Sequence, residues 1–338
     1  MSMILDGSNG VTFNDASLQG AAASPYVLKN RIINGDMRID QRNAGASSTP
    51  TNGTYQLDRW QSVLTQASKF SVQQNAGAIT PPVGFTNYLG VTSSSAYSVL
   101  TGDTFLVSQL IEGYNVADLG WGTANAKTVT LSFQVYSSLT GTFGGALLNG
   151  AANRSYTFSY SVPVANTWTT ISVTIAGDTS GTWLTTNGIG MYVRFGLGSG
   201  STFTQTANSW GTGNVVQPPS TVSVVGTNGA TFYITGVQLE IGTSATPFER
   251  RLYNQELAAC QRYYETGRSW AGGRTTDGTA MMTVNFKQTK RATPTMVYTV
   301  VVGGAATSYG IYLDMAMVYN AAGTNAHGEV TWTSTSEL

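Results

Sequence analysis

The chain has 338 residues, 41% of them hydrophobic and only 10% charged, against roughly 25% charged in an ordinary soluble domain. Lys plus Arg equals Asp plus Glu at 17 each, so there is no basic surface to gain counterion release from nucleic acid or attraction to an anionic bilayer. No apolar run approaches the roughly 20 residues of a membrane span, and the single cysteine, Cys260, excludes an internal disulfide framework and a cysteine-rich zinc site.

In chain order, residues 1–30 read as a separate piece. "LDGSNGVTFNDASLQG" holds one short strand candidate at Val11–Phe13 between Asn, Asp and Gly turn signals. The piece is too small for a core of its own and is expected to be ordered by a partner. "MSMILDGSNG" is too polar and short for a secretory h-region, so the sequence predicts no export by a signal peptide of its own.

From about 31 the strands begin. "TVTLSFQVY" puts Val129, Leu131, Phe133 and Val135 on one face, the period-2 mark of a half-buried strand. "SYTFSYSV" repeats the pattern with Tyr156, Phe158, Tyr160 and Val162, and "WTTISVTI" with Ile171, Val173 and Ile175. "GIGMYVRFGL" adds Ile189, Met191, Val193, Phe195 and Leu197. In "TFYITGVQL" the apolar parity shifts at Gly236, which predicts a β-bulge. Short strands divided by glycine-rich turns predict a mostly β chain with an antiparallel jelly-roll sandwich over 31–250.

One helix interrupts this. Thr246-Pro-Phe-Glu249 reads as a capping box with Pro at N1, and a start near Tyr253 fits as well. Tyr253, Leu257, Cys260 and Tyr264 form one apolar stripe, and Gly267 is the expected stop. A helix this short is marginal alone, so the stripe predicts oligomer or interdomain packing. The linking helix is expected at 251–266 and a smaller β domain at 267–338, where "MMTVNFKQ", "TMVYTVVV" and "YGIYLDMAMVY" return to strand character.

Catalytic signals are sparse. His327 is the only histidine and lies in a turn-like stretch; Cys260 on the helical stripe reads as a small core residue; no GxGxxG, P-loop or HExxH is present. Two carboxylates would suffice for glycoside cleavage, and Asp36, Asp40, Asp58, Glu112 and Asp118 are the candidates, each with a local ion-paired reading beside it. Asp36, Arg38, Asp40 and Arg42 alternate in sign like a solvated strand edge. Glu240 alone does not make a hard-cation site. The sequence therefore predicts no enzyme, no cofactor and no metal. Trp121, Trp183 and Trp210 stand in polar, glycine-rich surroundings. They are candidate platforms for the apolar face of a sugar ring, or else caps on the ends of the sandwich core.

Four motifs in this order, "KNRIINGDMRIDQRNAG" (29–45), "YQLDRW" (55–60), "TFYITGVQLEIGTSATPFERR" (231–251) and "ELAACQRYYE" (256–265), resemble a widespread group of bacteriophage virion proteins described as tail fibre or receptor-binding proteins. The leader resembles their short N-terminal pieces, and the similarity covers most of residues 1–265. The resemblance implies a jelly-roll body like a carbohydrate-binding module, a homotrimer, attachment to other virion proteins through residues 1–30, and a place on the virion surface after synthesis in the host cytoplasm. The expected activity is non-catalytic recognition of host surface polysaccharide, with no nucleic acid and no membrane insertion. A head fibre or capsid decoration protein is the alternative, and a polysaccharide depolymerase a third. In this setting the helical stripe would pack around a threefold axis or clamp the body against the distal domain.

Overall fold

The computed structural model of the protein describes residues 29–272, 279–321 and 327–338, together with the backbone of three short strands before residue 29. These three, β1 (Ile4–Asp6), β2 (Gly10–Thr12) and β3 (Leu18–Gln19), form a small antiparallel sheet. The virion-attachment role expected of residues 1–30 rests on side chains outside the described residues.

The body is built from β4 (Thr54–Leu57), β5 (Trp60–Leu64), β6 (Phe70–Gln74), β7 (Leu89–Ser93), β8 (Thr104–Glu112), β9 (Val129–Ser137), β10 (Gly141–Asn149), β11 (Arg154–Val162), β12 (Thr169–Ile175), β13 (Ile189–Ser199), β14 (Trp210–Thr212) and β15 (Thr231–Ile241). They make an antiparallel jelly-roll sandwich of two sheets, ordered β14-β11-β10-β13-β8-β5-β4 and β12-β9-β15-β7-β6. The alternating apolar residues of the sequence point inward from both sheets. Leu131, Phe133 and Val135 meet Phe158, Val193, Phe195 and Leu197 in one continuous core. Phe133 lies edge-on to Phe195 at 5.1 Å and to Tyr160 at 5.0 Å, the arrangement ring quadrupoles favour. The bulge is where the parity shift placed it: pairing of β15 with β9 slips between Thr235 and Gln238, and Gly236 sits at φ +62°. A side chain there would also collide with the ring of Phe85 at 2.6 Å.

The stretch 29–45 differs from expectation. It is a run of turns and not a solvated strand edge, because Ile32, Met37 and Ile39 enter the core and draw the polar residues between them inward. Asn34, fully buried, donates to the carbonyls of Ile39 (2.8 Å) and Asp58 (3.0 Å) and accepts from Ile39 N–H through Oδ1. Its own carbonyl accepts the Trp60 indole N–H at 3.0 Å. Asp58, also fully buried, accepts both the backbone and side-chain N–H of Gln41 at 2.7 Å. Burial pushes the Asp58 carboxyl up to about 6, with Arg42 opposing. A carboxyl held above its unfolded value of 3.8 contributes stability that is full below that pH and is lost as pH rises through about 6. Against Asp58→Asn, the wild-type advantage should therefore fall by about 3 kcal/mol between pH 3.5 and 7. Urea unfolding of both proteins across that range checks it; a constant difference would mean that folding leaves the Asp58 carboxyl at its unfolded value.

The helix α1 (Tyr253–Gln261) is shorter than expected and starts at the later position. Thr246 and Glu249 do not cap it: Thr246 donates through N–H (2.9 Å) and Oγ1 (2.6 Å) to Glu240, and Glu249 accepts the N–H groups of Lys29 and Asn30. Gly267 does not stop the helix but lies in β16 (Tyr264–Gly272), which starts inside the range expected for the linking helix. The apolar stripe coincides with its buried side only at Cys260. Tyr253 is 58% exposed, Leu257 is half-buried and Tyr264 belongs to β16, whereas Glu256, Cys260 and Gln261 are buried. Polar bonds decide that face: Glu256 accepts the Asn34 N–H and pairs with Arg251.

After β16 come β17 (Ala280–Asn285), β18 (Thr295–Val302), β19 (Ala306–Ile311), β20 (Met315–Asn320) and β21 (His327–Thr335). They form two three-stranded sheets, β16-β21-β18 and β17-β20-β19, around a small core of Met282, Val284, Val318, Val330 and Trp332. Helix α1 and the residues after it bond both modules. Arg262 grips Glu112 of β8 through two bonds of 2.9 and 2.7 Å, and Tyr263 donates to Glu112 at 2.6 Å. On the other side the Arg291 N–H donates to the Arg262 carbonyl (3.1 Å) and the buried Lys290 to Gln261 O and Glu265.

Candidate functional site

The outer face of the five-stranded sheet should be polar by its alternation, and most of it is. Thr170, Ser172 and Thr174 of β12 pair with Gln134, Ser132 and Thr130 of β9. Two aromatic residues break the rule. Tyr136 and Tyr233 are cross-strand partners on this outer face, stacked at 5.4 Å with an interplanar angle of 7°. Tyr88 stacks on Tyr233 from the other side at 5.1 Å, and Trp168 closes the group edge-on to Tyr88 at 5.5 Å. Burial raises the phenols of Tyr88 and Tyr233, which stay protonated at neutral pH. Tyr136 and Trp168 are the half-exposed members. Trp168 is fixed by its indole N–H, which donates to Thr80 O at 2.9 Å.

Next to this aromatic band, over the Gly236 bulge, lies a cleft of about 330 Å³. Its floor is polar, with Ser132, Gln134 and Thr170; the Thr170 hydroxyl donates to Gln134 Oε1 at 3.0 Å and so orients the amide. Its wall is Phe85 packed edge-on to Phe248 at 5.2 Å. The Arg250 guanidinium lies 4.8 Å from the Phe85 ring centroid and 5.7 Å from that of Phe248, and it forms no ion pair with the described residues. An aromatic surface beside an oriented amide, two hydroxyls and an exposed guanidinium suits a polyhydroxylated ring, whose C–H face stacks while its hydroxyls exchange hydrogen bonds.

The tryptophans singled out by sequence are brought together at one end of the sandwich. Trp121 meets Trp183 at 4.6 Å and Trp210 at 5.3 Å, and Trp183 meets Trp210 at 5.6 Å, all near perpendicular. Trp121 and Trp183 are only 6% and 9% exposed. Each indole N–H is taken internally, by Lys127 O, by Asp178 with Ser180 O, and by Ala176 O respectively. Nearly buried and packed at right angles to each other, Trp121 and Trp183 cap the core and do not form a flat platform. Trp210 is half-buried beneath Arg154, which grips Asp178 through bonds of 2.9 and 2.7 Å. A small cleft of about 240 Å³ opens beside Trp121, Trp183 and Met191.

The candidate carboxylates are engaged in structural bonds. Asp36 pairs with Arg38 at 2.6 Å, Asp118 with Arg31 at 2.7 Å, and Asp40 accepts the N–H groups of Asn43 (2.9 Å) and Gly45 (2.7 Å). Burial holds the Cys260 thiol well above its ordinary value, which suppresses the thiolate a nucleophile needs. Tyr136, Trp168, Phe85, Phe248 and Arg250 were missed by sequence reasoning. For Tyr136 and Tyr233 a signal was available: each is an aromatic at the polar parity of its strand.

No protein-family model matches the chain, and no curated protein is similar to it. Solved structures that resemble its fold include a putative sugar binding protein from Bacteroides thetaiotaomicron, at 12% identity and a TM-score of 0.38 over 63% of this chain and 100% of that one. A family 11 carbohydrate-binding module from Clostridium thermocellum, in complex with a β-1,3-1,4-mixed-linked tetrasaccharide, gives 12% identity and a TM-score of 0.30 over 59% of this chain and 98% of that one. At these scores the likenesses carry no argument about what this chain binds.

Proposed function

We propose that the protein is a non-catalytic glycan-binding subunit of a bacteriophage tail appendage, an adhesin that recognises host surface polysaccharide. The observation that carries the binding half is the outer face of the five-stranded sheet, where Tyr136 and Trp168 are half-exposed beside the Gln134–Thr170 cleft. The virion half is supported by the resemblance of the motifs at 29–45, 55–60, 231–251 and 256–265. Assembly as a homotrimer belongs to the same reading; the number three rests on the resemblance, and the outer face of β17-β20-β19 supports self-association. There Met281 pairs with Tyr319 and Thr283 with Met317, and the face carries no charge. Several copies per virion would multiply a weak single-site affinity.

The test is binding of the purified chain to intact cells and extracted surface polysaccharide from a panel of bacteria, with its mass in solution from light scattering. Trp168→Ala and Gln134→Ala are each expected to weaken binding about tenfold, the size of one lost stacking or hydrogen-bonding contact. A bound polysaccharide indifferent to both would remove this face from recognition. Antibody labelling of virions on the head and not on the tail would replace the tail assignment with the decoration reading.

A further inference from the structure

The C-terminal module has a second surface of unusual chemistry. In the sheet β16-β21-β18 one face is turned inward, with Val330 and Trp332 in the module core and Met296 and Tyr298 packed against it. The other face is a grid set by the register. Tyr264, Thr335 and Thr295 lie in one row, Thr266, Thr333 and Val297 in the next, then Arg268, Thr331 and Thr299, and last Trp270 with Glu329 and Val302. Six of the twelve positions are threonine. Trp270 is 68% exposed and Val297 58%. Arg268 and Glu329 are ion-paired on this face, with the Arg268 side chain 64% exposed. The indole leans over Gly272, where an added side chain would meet it at 3.0 Å; glycine there lets the ring lie across the strand end.

Three properties narrow the ligand. Arg268 is neutralised by Glu329, and the Arg42 guanidinium that reaches Tyr264 by Glu337, so the face offers a charged partner no net charge. Threonine hydroxyls both donate and accept, and they repeat about 4.8 Å apart across strands and about 6.8 Å apart along them. A protein partner would need a core of several large apolar anchors, and here one indole stands beside the smaller exposed valines of β18, Val297, Val300 and Val301. A neutral polyhydroxylated chain fits all three: its ring C–H face stacks on the indole and its hydroxyls meet Thr, Arg and Glu. Arg42 covers the ring of Tyr264 at 3.7 Å, and the three rows beyond it span about 14 Å, room for a linear run of about three sugar rings.

We propose that the outer face of β16-β21-β18 is a second saccharide-binding surface for a neutral glycan chain, with Trp270 as the stacking ring and Arg268, Glu329 and Thr331 bonding the hydroxyls of the sugar upon it. It goes beyond the jelly-roll face and does not depend on it.

The test uses the full chain with ¹⁵N-labelled tryptophan, whose seven indoles give separate N–H signals; Trp270→Phe and Trp168→Phe assign the two that matter. The probes are neutral tetrasaccharides of β-1,4-glucose, β-1,3-glucose, β-1,4-galactose and α-1,6-mannose. At least one should move the Trp270 signal saturably at millimolar concentration, and Thr331→Val, of the same shape but without the hydroxyl, should weaken that response about tenfold. Trp270 and Thr331 are exposed and Trp168→Phe keeps an aromatic ring at the rim of its cluster, so the fold survives. A Trp270 signal unmoved by every probe at about 20 mM, a weakness equivalent to little more than −2 kcal/mol of binding, would overturn the proposal. So would a Trp270 signal that shifts with protein concentration alone, which would assign the face to self-association. The Trp168 signal reports the jelly-roll face in the same spectra, so the failure of one site is read apart from the failure of the other.

Discussion

Glu337→Ala is expected to destabilise the protein by about 3–5 kcal/mol, the penalty for leaving a buried charge without its partner. Glu337 joins two guanidinium groups, accepting from Arg42 Nη2 at 2.7 Å and from Arg59 Nη1. Arg59 is 1% exposed, stacks on the Tyr263 ring at 3.6 Å and donates through Nη2 to Leu110 O. Burial alone would push its guanidinium down, and the Glu337 charge, with smaller contributions from Tyr263, Tyr55 and Cys260, more than offsets this. Without Glu337, Arg59 would keep one carbonyl and one ring and nothing of opposite charge beside it. The loss should also loosen the modules from each other. Arg291 holds Ser336 O and Glu337 O at 2.8 Å, and the Ser336 N–H donates to Tyr263 O at 2.7 Å. Chemical denaturation gives the stability change, and faster proteolysis near Lys287–Arg291 would show the loosening. Breaking the Arg268–Glu329 pair, whose guanidinium is 64% exposed, should cost less than about 1 kcal/mol, since solvent screens it. If Glu337→Ala behaved like that exposed pair, the clasp around Arg59 would not be a main tie between the modules.

This clasp marks how far the sequence could be read. The inward faces of β9, β11, β12 and β13 were legible because period-2 alternation is local, and so was the bulge at Gly236, since one residue of extra parity shows in a single strand. The charged stretch 36–42 was not. Its alternation of sign matches a solvated edge, and only the burial of Met37 and Ile39 shows that the chain turns inward there. The helix misled in the same way. Tyr253, Leu257, Cys260 and Tyr264 are correctly spaced for one face, but of these only Cys260 is buried within the chain, because partners over two hundred residues away, such as Asn34 to Glu256, turned the helix toward its polar residues. Strand order in the C-terminal module is non-local too, since β21 sits between β16 and β18. The candidate site lay between these extremes. Tyr136 and Tyr233 stand at the polar parity of strands that were read correctly, yet their pairing across β9 and β15 is a tertiary fact. Trp168 opens the run "WTTISVTI" at its polar parity and carried the same signal, whereas Phe85 and Phe248 come from loops, and nothing in their local pattern places them over the sheet.

Trp121→Ala should cost about 3–5 kcal/mol, as expected for a large aromatic removed from a packed core, and should leave polysaccharide binding by the folded protein unchanged. The two readouts separate the two roles open to this residue. If Trp121 were a sugar platform, truncation would abolish binding with little effect on stability, because an exposed ring contributes little to the fold. The geometry argues the reverse. Trp121 is 6% exposed, its edges are met by Trp183 and Trp210, and its N–H is bonded to Lys127 O at 2.7 Å. Removing it leaves a void the two remaining indoles cannot fill, since Trp183 is anchored through its own N–H to Asp178 and Ser180 O. Trp168→Ala should give the opposite pattern, a modest stability change with weakened binding, because Trp168 is half-exposed at the rim of its cluster. Measured together by urea unfolding and polysaccharide binding, the two variants place recognition either on the sheet face or at the sandwich end. Weakened binding in folded Trp121→Ala with full binding in Trp168→Ala would move the site to the small cleft beside Trp183 and Met191.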